Sequence, residues 1–203
     1  ESRVKGLGQL AICHARTGRI EEAKRLYAEL RKDHADHPLV AETTEQLAEA
    51  AYDAHDAAWA GELFGAVRSD ATSDQSAWRG LLGLGWSQYT SGQFEEASGT
   101  LGQLLTREPP ANFAAEAAYL RGTVLQQLGD DTSALEMYEL VGQRYSGTAQ
   151  HAESLMAAAL MHDNSSRYET AASLYARLAG EYPKFHQIDR AIYNWAWVLS
   201  ESG

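Results

Sequence analysis

Along this chain a small residue is followed four and seven positions later by two larger apolar ones, and the set recurs at a constant interval. Ala23, Ala60, Ala97, Ala134 and Ala171 stand 37 residues apart. Four residues after each come Tyr27, Phe64, Leu101, Tyr138 and Tyr175, and seven residues after each come Leu30, Val67, Leu104, Val141 and Leu178. Steps of four and three put three side chains on one face of an α-helix, so each recurrence predicts one helix.

Twelve residues before each alanine lies another column of small residues, Ala11, Ala48, Gly85, Gly122 and Ala159, and the next step reaches Ala196. These mark a first helix that precedes the other in every repeat. Small residues are expected where two antiparallel helices come closest, because any side chain larger than a methyl pushes the axes apart. Between the two helices a turn is expected at Gly18, His55, Gly92, Gly129 and Ser166. Glycine supplies the left-handed backbone that ends a helix cheaply. The second repeat, with His55 followed by Ala57-Ala58-Trp59, lacks that signal, and Gly203 falls at the same phase as the turns.

The pattern therefore predicts an all-α chain of five helical pairs plus one extra helix, with a period of 37 residues. As a single domain it divides at about 4–38, 39–75, 76–111, 112–147 and 148–186, with a half repeat at 187–203, and reads as a fragment of a longer protein. Composition agrees: 44% apolar residues can fill a core, and only four prolines interrupt 203 residues. The formal charge of −11, from 28 acidic and 17 basic residues, repels phosphate backbones, so nucleic acid is not an expected partner. No apolar run approaches the ~20 residues of a membrane span, so direct membrane insertion of this segment is not expected, and the N-terminus lacks a signal-peptide pattern. The lone Cys13 lies in an apolar stretch and reads as a buried, inert thiol.

Candidate chemistry is sparse. His34 and His37 within Asp33-His34-Ala35-Asp36-His37 are the closest pair of the seven histidines, but they fall at a repeat junction without the further ligands zinc requires. His14, His151 and His162 fall in first helices, His55 at a turn and His186 at a joint, none beside a recognisable nucleophile or carboxylate partner. Glu21-Glu22 and Glu95-Glu96 follow turns directly, where negative charge favours a helix N-terminus. Gly80, Gly83 and Gly85 lack the lysine and strand of a phosphate loop. No catalytic residue, metal or cofactor is expected.

The third repeat carries Leu81, Leu84-Gly85, Gly92, Ala97, Leu101 and Pro109, and the fifth carries Leu155, Ala159, Ala171, Tyr175 and Pro183 at the same phases. This resembles the tetratricopeptide repeat, although the period is 37 rather than the usual 34 or so. The segments Tyr145-Ser146-Gly147-Thr148-Ala149 and Tyr182-Pro183 are similar to joints in bacterial envelope members, such as outer-membrane assembly lipoproteins and Tol-Pal coordinators. The resemblance implies a right-handed α-solenoid that scaffolds protein–protein contacts, and it leans towards a bacterial periplasm or cell envelope.

In that family the first helices line a concave groove that takes peptides. On these helices a second stripe runs through Arg79, Leu82, Trp86 and Tyr89, then Tyr119, Thr123 and Gln126, then Met156 and Leu160, then Arg190, Tyr193 and Trp197. Arg79, Trp86, Tyr89, Tyr119, Thr123, Gln126, Arg190, Tyr193 and Trp197 are accordingly the candidate peptide groove, since aromatics beside arginine suit protein recognition. The competing reading is that Trp86 and Tyr119 are packing between repeats. The second repeat offers Glu42, Glu45, Glu49, Tyr52 and Asp53, so a matching ligand is basic at one end and apolar at the other. Chaperone-tail-binding members grip a carboxylate with lysines, an arginine and two asparagines. Lys5 and Arg79 match two of these places, but Ile12 and Gln46 stand where the asparagines belong, which argues against a co-chaperone role. The rival to groove binding is a structural spacer, or a homodimer through the C-terminal helix, where Ile192, Trp195 and Leu199 would want a covering partner.

Overall fold

The computed structural model describes residues 2–202, and among them lie eleven α-helices and no strand. They alternate as first and second members of hairpins: α1 (Ser2–Arg16) with α2 (Ile20–His34), α3 (Pro38–Asp53) with α4 (Ala57–Ser69), and α5 (Asp74–Thr90) with α6 (Phe94–Leu105). Then follow α7 (Ala111–Gln127) with α8 (Asp131–Arg144), α9 (Ala149–Asn164) with α10 (Tyr168–Glu181), and the single helix α11 (Ile188–Ser202). Five hairpins and one extra helix are the expected set. Gly203, the expected sixth turn, lies outside the described residues.

The other five expected turn residues take left-handed backbone, with φ of +76° at Gly18, +64° at His55, +74° at Gly92, +77° at Gly129 and +57° at Ser166. His55 and Ser166 accept a conformation that glycine adopts freely because the same hydrogen bonds close all five turns. The amides of Arg19, Asp56, Gln93, Asp130 and Arg167 reach back to the carbonyls of His14, Ala51, Gln88, Leu125 and His162 at 2.9–3.0 Å. Those of Gly18, His55, Gly92, Gly129 and Ser166 bond the carbonyls of Ala15, Tyr52, Tyr89, Gln126 and Asp163. Together these bonds satisfy carbonyls that a helix end leaves bare. Asp56 and Asp130 then cap the next helix, accepting from the amides of Trp59 and Ser133 at 3.0 and 3.1 Å.

The molecule forms two compact units, Glu1–Leu104 and Leu105–Gly203. In the first, Ala11, Ile12 and Ala15 of α1 pack with Ala23, Leu47, Ala48, Ala51, Trp59, Ala60 and Phe64. In the second, Leu155, Met156 and Ala159 of α9 pack with Ala171, Tyr175 and Leu178 of α10 and with Ala191 and Val198 of α11. Ala23, Ala60, Ala97, Ala134 and Ala171 are each wholly inaccessible to solvent. The first-helix column faces the large residue of the second helix: a Cβ added at Gly85 would lie 2.7 Å from Leu101, and one at Gly122 would lie 2.8 Å from Tyr138. Gly80 answers to a different constraint, because its Cβ would lie 2.6 Å from the Arg68 backbone nitrogen of α4. First helices also touch within each unit, α1 with α3, α3 with α5, and α7 with α9.

Two expectations change here. Cys13 is exposed rather than buried, since it lies beside Ile12 but on the opposite side of α1 from the face that carries Ala11 and Ala15 into the core. Ala196 continues the small column yet is exposed, whereas Ala191 and Val198 on the other side of α11 are buried against α10.

Candidate interaction surface on the first helices

In the first unit Arg79, Trp86 and Tyr89 follow one another along α5. Arg79 is ion-paired to Glu45 of α3, so it ties two first helices together, and Glu45 is not free to meet a ligand. Glu42, Glu49 and Asp53 remain exposed on α3. Trp86 and Tyr89 are half-buried and meet edge to face with centroids 6.0 Å apart, and Tyr89 reaches Phe94 across the turn at 5.9 Å. Leu82 is buried and belongs to the core. Between α1 and α3 the structure opens a cleft of 260 Å³, lined by Lys5, Gln9, Ile12, Leu39, Glu42, Thr43 and Gln46. Of the positions weighed for carboxylate binding, Lys5, Ile12 and Gln46 thus share one cleft, together with the Glu42 side chain, whereas Arg79 is held apart by Glu45.

In the second unit Tyr119, Thr123 and Gln126 of α7 gather round one buried side chain. The Tyr138 hydroxyl donates to Gln126 Oε1 at 2.8 Å and lies 3.2 Å from the Thr123 hydroxyl, while the Tyr119 and Tyr138 rings approach to 5.8 Å. A buried phenol needs such partners, so these residues complete the α7–α8 contact in the first place. Met156 is buried and Leu160 half-buried, both packed in the core around α10. Arg190, Tyr193 and Trp197 on α11 differ: Arg190 is exposed and donates to Gln187 at 3.3 Å, and Tyr193 and Trp197 are 71% and 52% exposed.

Of the residues proposed to want a partner at the C-terminal helix, Ile192 and Leu199 are 49% and 52% exposed. Trp195 is half-buried against the α9–α10 core, because it follows Ala191 by one turn on the inward side.

The sequence reading missed a polar knot in the second unit. His151, fully buried on α9, lies with Nδ1 2.6 Å from the Tyr182 hydroxyl and Nε2 3.0 Å from the Gly142 carbonyl. The Arg177 guanidinium donates to the same carbonyl at 3.1 Å and to Glu181 at 2.9 Å. The only sequence signal for this is that Tyr182 precedes a proline at a joint. In the first unit, Tyr27 and Trp59 pack edge to face at 6.5 Å with the Lys24 ammonium 5.6 Å from the Trp59 ring. His37 of the candidate histidine pair accepts from the Leu39 amide at 3.2 Å and so caps α3. No group of three or more potential metal ligands occurs among the described residues, and none of their helices is long and apolar enough to cross a membrane.

Stacked helical hairpins closed by left-handed turns define a helical repeat protein. The chain belongs to the tetratricopeptide repeat-like domain family, whose model matches residues 9–152. A tetratricopeptide repeat protein from Parabacteroides merdae ATCC 43184 is similar in structure, with a TM-score of 0.71, 15% identity, and coverage of 98% of this chain and 75% of that one. MamA AMB-1 is similar with a TM-score of 0.61 at 19% identity, covering 94% of this chain and 97% of that one. At these identities the likeness is one of fold. No curated protein matches the chain. Tetratricopeptide-like folds generally serve as protein-interaction scaffolds, and the fold is typically non-catalytic.

Proposed function

We propose that this chain is a non-catalytic scaffold that binds a partner's peptide segment along its first helices. The observation that carries the reading is the exposed row Arg190, Tyr193 and Trp197 on α11, a cation and two rings presented to solvent on the stripe that the earlier first helices also carry. Exposed aromatic area beside arginine binds proteins well because it is large and costs little conformational entropy. In the first unit Trp86 and Tyr89 supply a smaller aromatic patch, and exposed Glu42, Glu49 and Asp53 favour a basic stretch of ligand. Tyr119, Thr123 and Gln126 take a secondary part, since their polar atoms already serve Tyr138.

Titration of basic-apolar peptides against the wild type, Trp86→Ala and Trp197→Ala tests this. Truncating a central aromatic anchor costs on the order of 2 kcal/mol, or about thirtyfold in Kd, and the larger loss belongs to Trp197→Ala. Equal affinity for all three proteins removes the site. The second reading is a structural spacer or self-association module, favoured by the exposure of Ile192 and Leu199.

A further inference from the structure

Between the second helices of the first two hairpins, the first unit opens a groove of 460 Å³. Tyr27 and Ala28 of α2 form one wall, and Trp59, Leu63 and Ala66 of α4 form the other. Ion pairs tie α2 to both caps of α4: Lys24 meets Asp56 at 2.9 Å, and Arg31 meets Asp70 at 2.6 Å. The counterpart in the second unit, three periods further on between α8 and α10, is crossed by the chain's own side chains. There Leu135 and Leu174 pack beside Tyr138, and Arg177 of α10 donates to the Gly142 carbonyl of α8 at 3.1 Å. Three periods before Arg177 and Gly142 stand Ala66 and Arg31, and Arg31 pairs with Asp70 instead. The space between α2 and α4 is therefore left open, with apolar walls. Trp59 adds to them, since one residue before the column alanine the other four second helices carry Glu22, Glu96, Ser133 and Thr170. Tyr27 is half-buried, whereas Phe64, Leu101, Tyr138 and Tyr175 of its column are buried.

From this we infer that the groove between α2 and α4 docks an amphipathic helix of a partner protein, one that presents two large aliphatic side chains a turn apart with a lysine or arginine beside them. Lys24 and Arg31 stand seven residues apart on α2, about 10 Å at 1.5 Å per residue, which admits two side chains at the spacing of one helical turn. Ala28 and Ala66 lie on opposite walls, and side chains this small let a helix axis come close. Tyr27 and Trp59, edge to face at 6.5 Å, offer ring surface on which aliphatic groups pack. The charge preference follows from the rim. Asp56 and Asp70 neutralise Lys24 and Arg31, so Glu62, exposed on the α4 wall, is the charge left for a basic group to meet. A second copy of this chain, at −11, is disfavoured by the same electrostatics. The groove shares no residue with the first-helix stripe, so this inference does not rest on the reading above.

The probe is a fluorescein-labelled, helix-stabilised alanine-rich peptide with two leucines four residues apart and a lysine on the same face. Its controls carry serines for the leucines, or glutamate for the lysine. By fluorescence anisotropy we expect saturable binding that is at least tenfold weaker for either control. Ala66→Arg, which installs the residue found at this place in the second unit, should weaken binding at least tenfold. So should Ala28→Arg, at an exposed position that tolerates it, and circular dichroism melts check that both variants fold. Glu62→Lys should reverse the preference between the lysine and glutamate peptides. Trp197→Ala should bind this probe as the wild type does, so that failure here and failure of the first-helix reading are told apart. The place of binding is read by Ala28→Cys in a Cys13→Ser background, whose reaction with a maleimide should be fast in the protein alone and slowed by the peptide. Equal affinity for wild type, Ala28→Arg and Ala66→Arg overturns the inference, as does an absence of binding. A thiol at position 28 protected without peptide also overturns it, since the groove would then be covered by a second copy or by the protein's own chain.

Discussion

At the scale of single residues, this fold depends on atoms that are missing. A Cβ at Gly80 would press on the backbone of Arg68, and backbone cannot swing aside as a long side chain can. At Gly122 the obstacle is the Tyr138 ring, itself pinned through its hydroxyl by Gln126 and Thr123. Both Gly80→Ala and Gly122→Leu should therefore lower stability by about 1–3 kcal/mol, read as a drop in denaturant midpoint at unchanged slope. Wild-type stability for Gly80→Ala would mean that α4 and α5 do not approach as described. The alanine and glycine columns were legible in the sequence because helical spacing reveals which residues share a face. The role of Gly80 was not legible there, since spacing within α5 says nothing about the nearness of Arg68 on another helix.

Among the elements, the caps decide where helices begin, and one of them carries a pH dependence. The Asp56 carboxylate caps α4 and also pairs with Lys24 of α2 at 2.9 Å. Partial burial opposes its ionisation, but the Trp59 amide and the Lys24 ammonium outweigh that and hold its pKa below the ordinary aspartate value. A carboxyl depressed in the folded state contributes stability above its unfolded pKa of about 3.9, and the contribution disappears as pH falls through the lower folded value. Asp56→Asn keeps an acceptable cap but cannot pair as a charge. The stability difference between wild type and Asp56→Asn should therefore be largest near neutrality and shrink below about pH 4, a trend that urea titrations at pH 7 and pH 3 would read directly. A difference that stayed constant with pH would mean the Lys24 contact contributes nothing in solution. Here the sequence was only half informative: acidic residues after turns were recognisable, whereas a pair bridging α2 and α4 was not.

For the molecule as a whole, the question is what the exposed side of α11 does in solution. A stable protein interface buries roughly 1,200 Å² or more, which the face of one short helix does not reach, and a net charge of −11 adds mutual repulsion. Sedimentation should accordingly report a monomer at tens of micromolar for both the wild type and Leu199→Glu. A dimer abolished by Leu199→Glu would favour the self-association reading. Leu199 and Ile192 suit this experiment better than Trp195, whose half-buried ring is part of the α9–α10 core.

What the sequence determined by itself was the repeat: the order of first and second helices, the five turns including those at His55 and Ser166, and the alanine columns. A period of 37 residues sustained five times leaves little freedom in how apolar faces are shared between neighbours. Only the tertiary structure decided which members of the second stripe face water. Arg79 is held by Glu45, Thr123 and Gln126 serve Tyr138, and Tyr193 and Trp197 stand free of the core. The reason is physical: helical period assigns a residue to a face, but its availability depends on partners that approach from other helices, at separations no local pattern encodes.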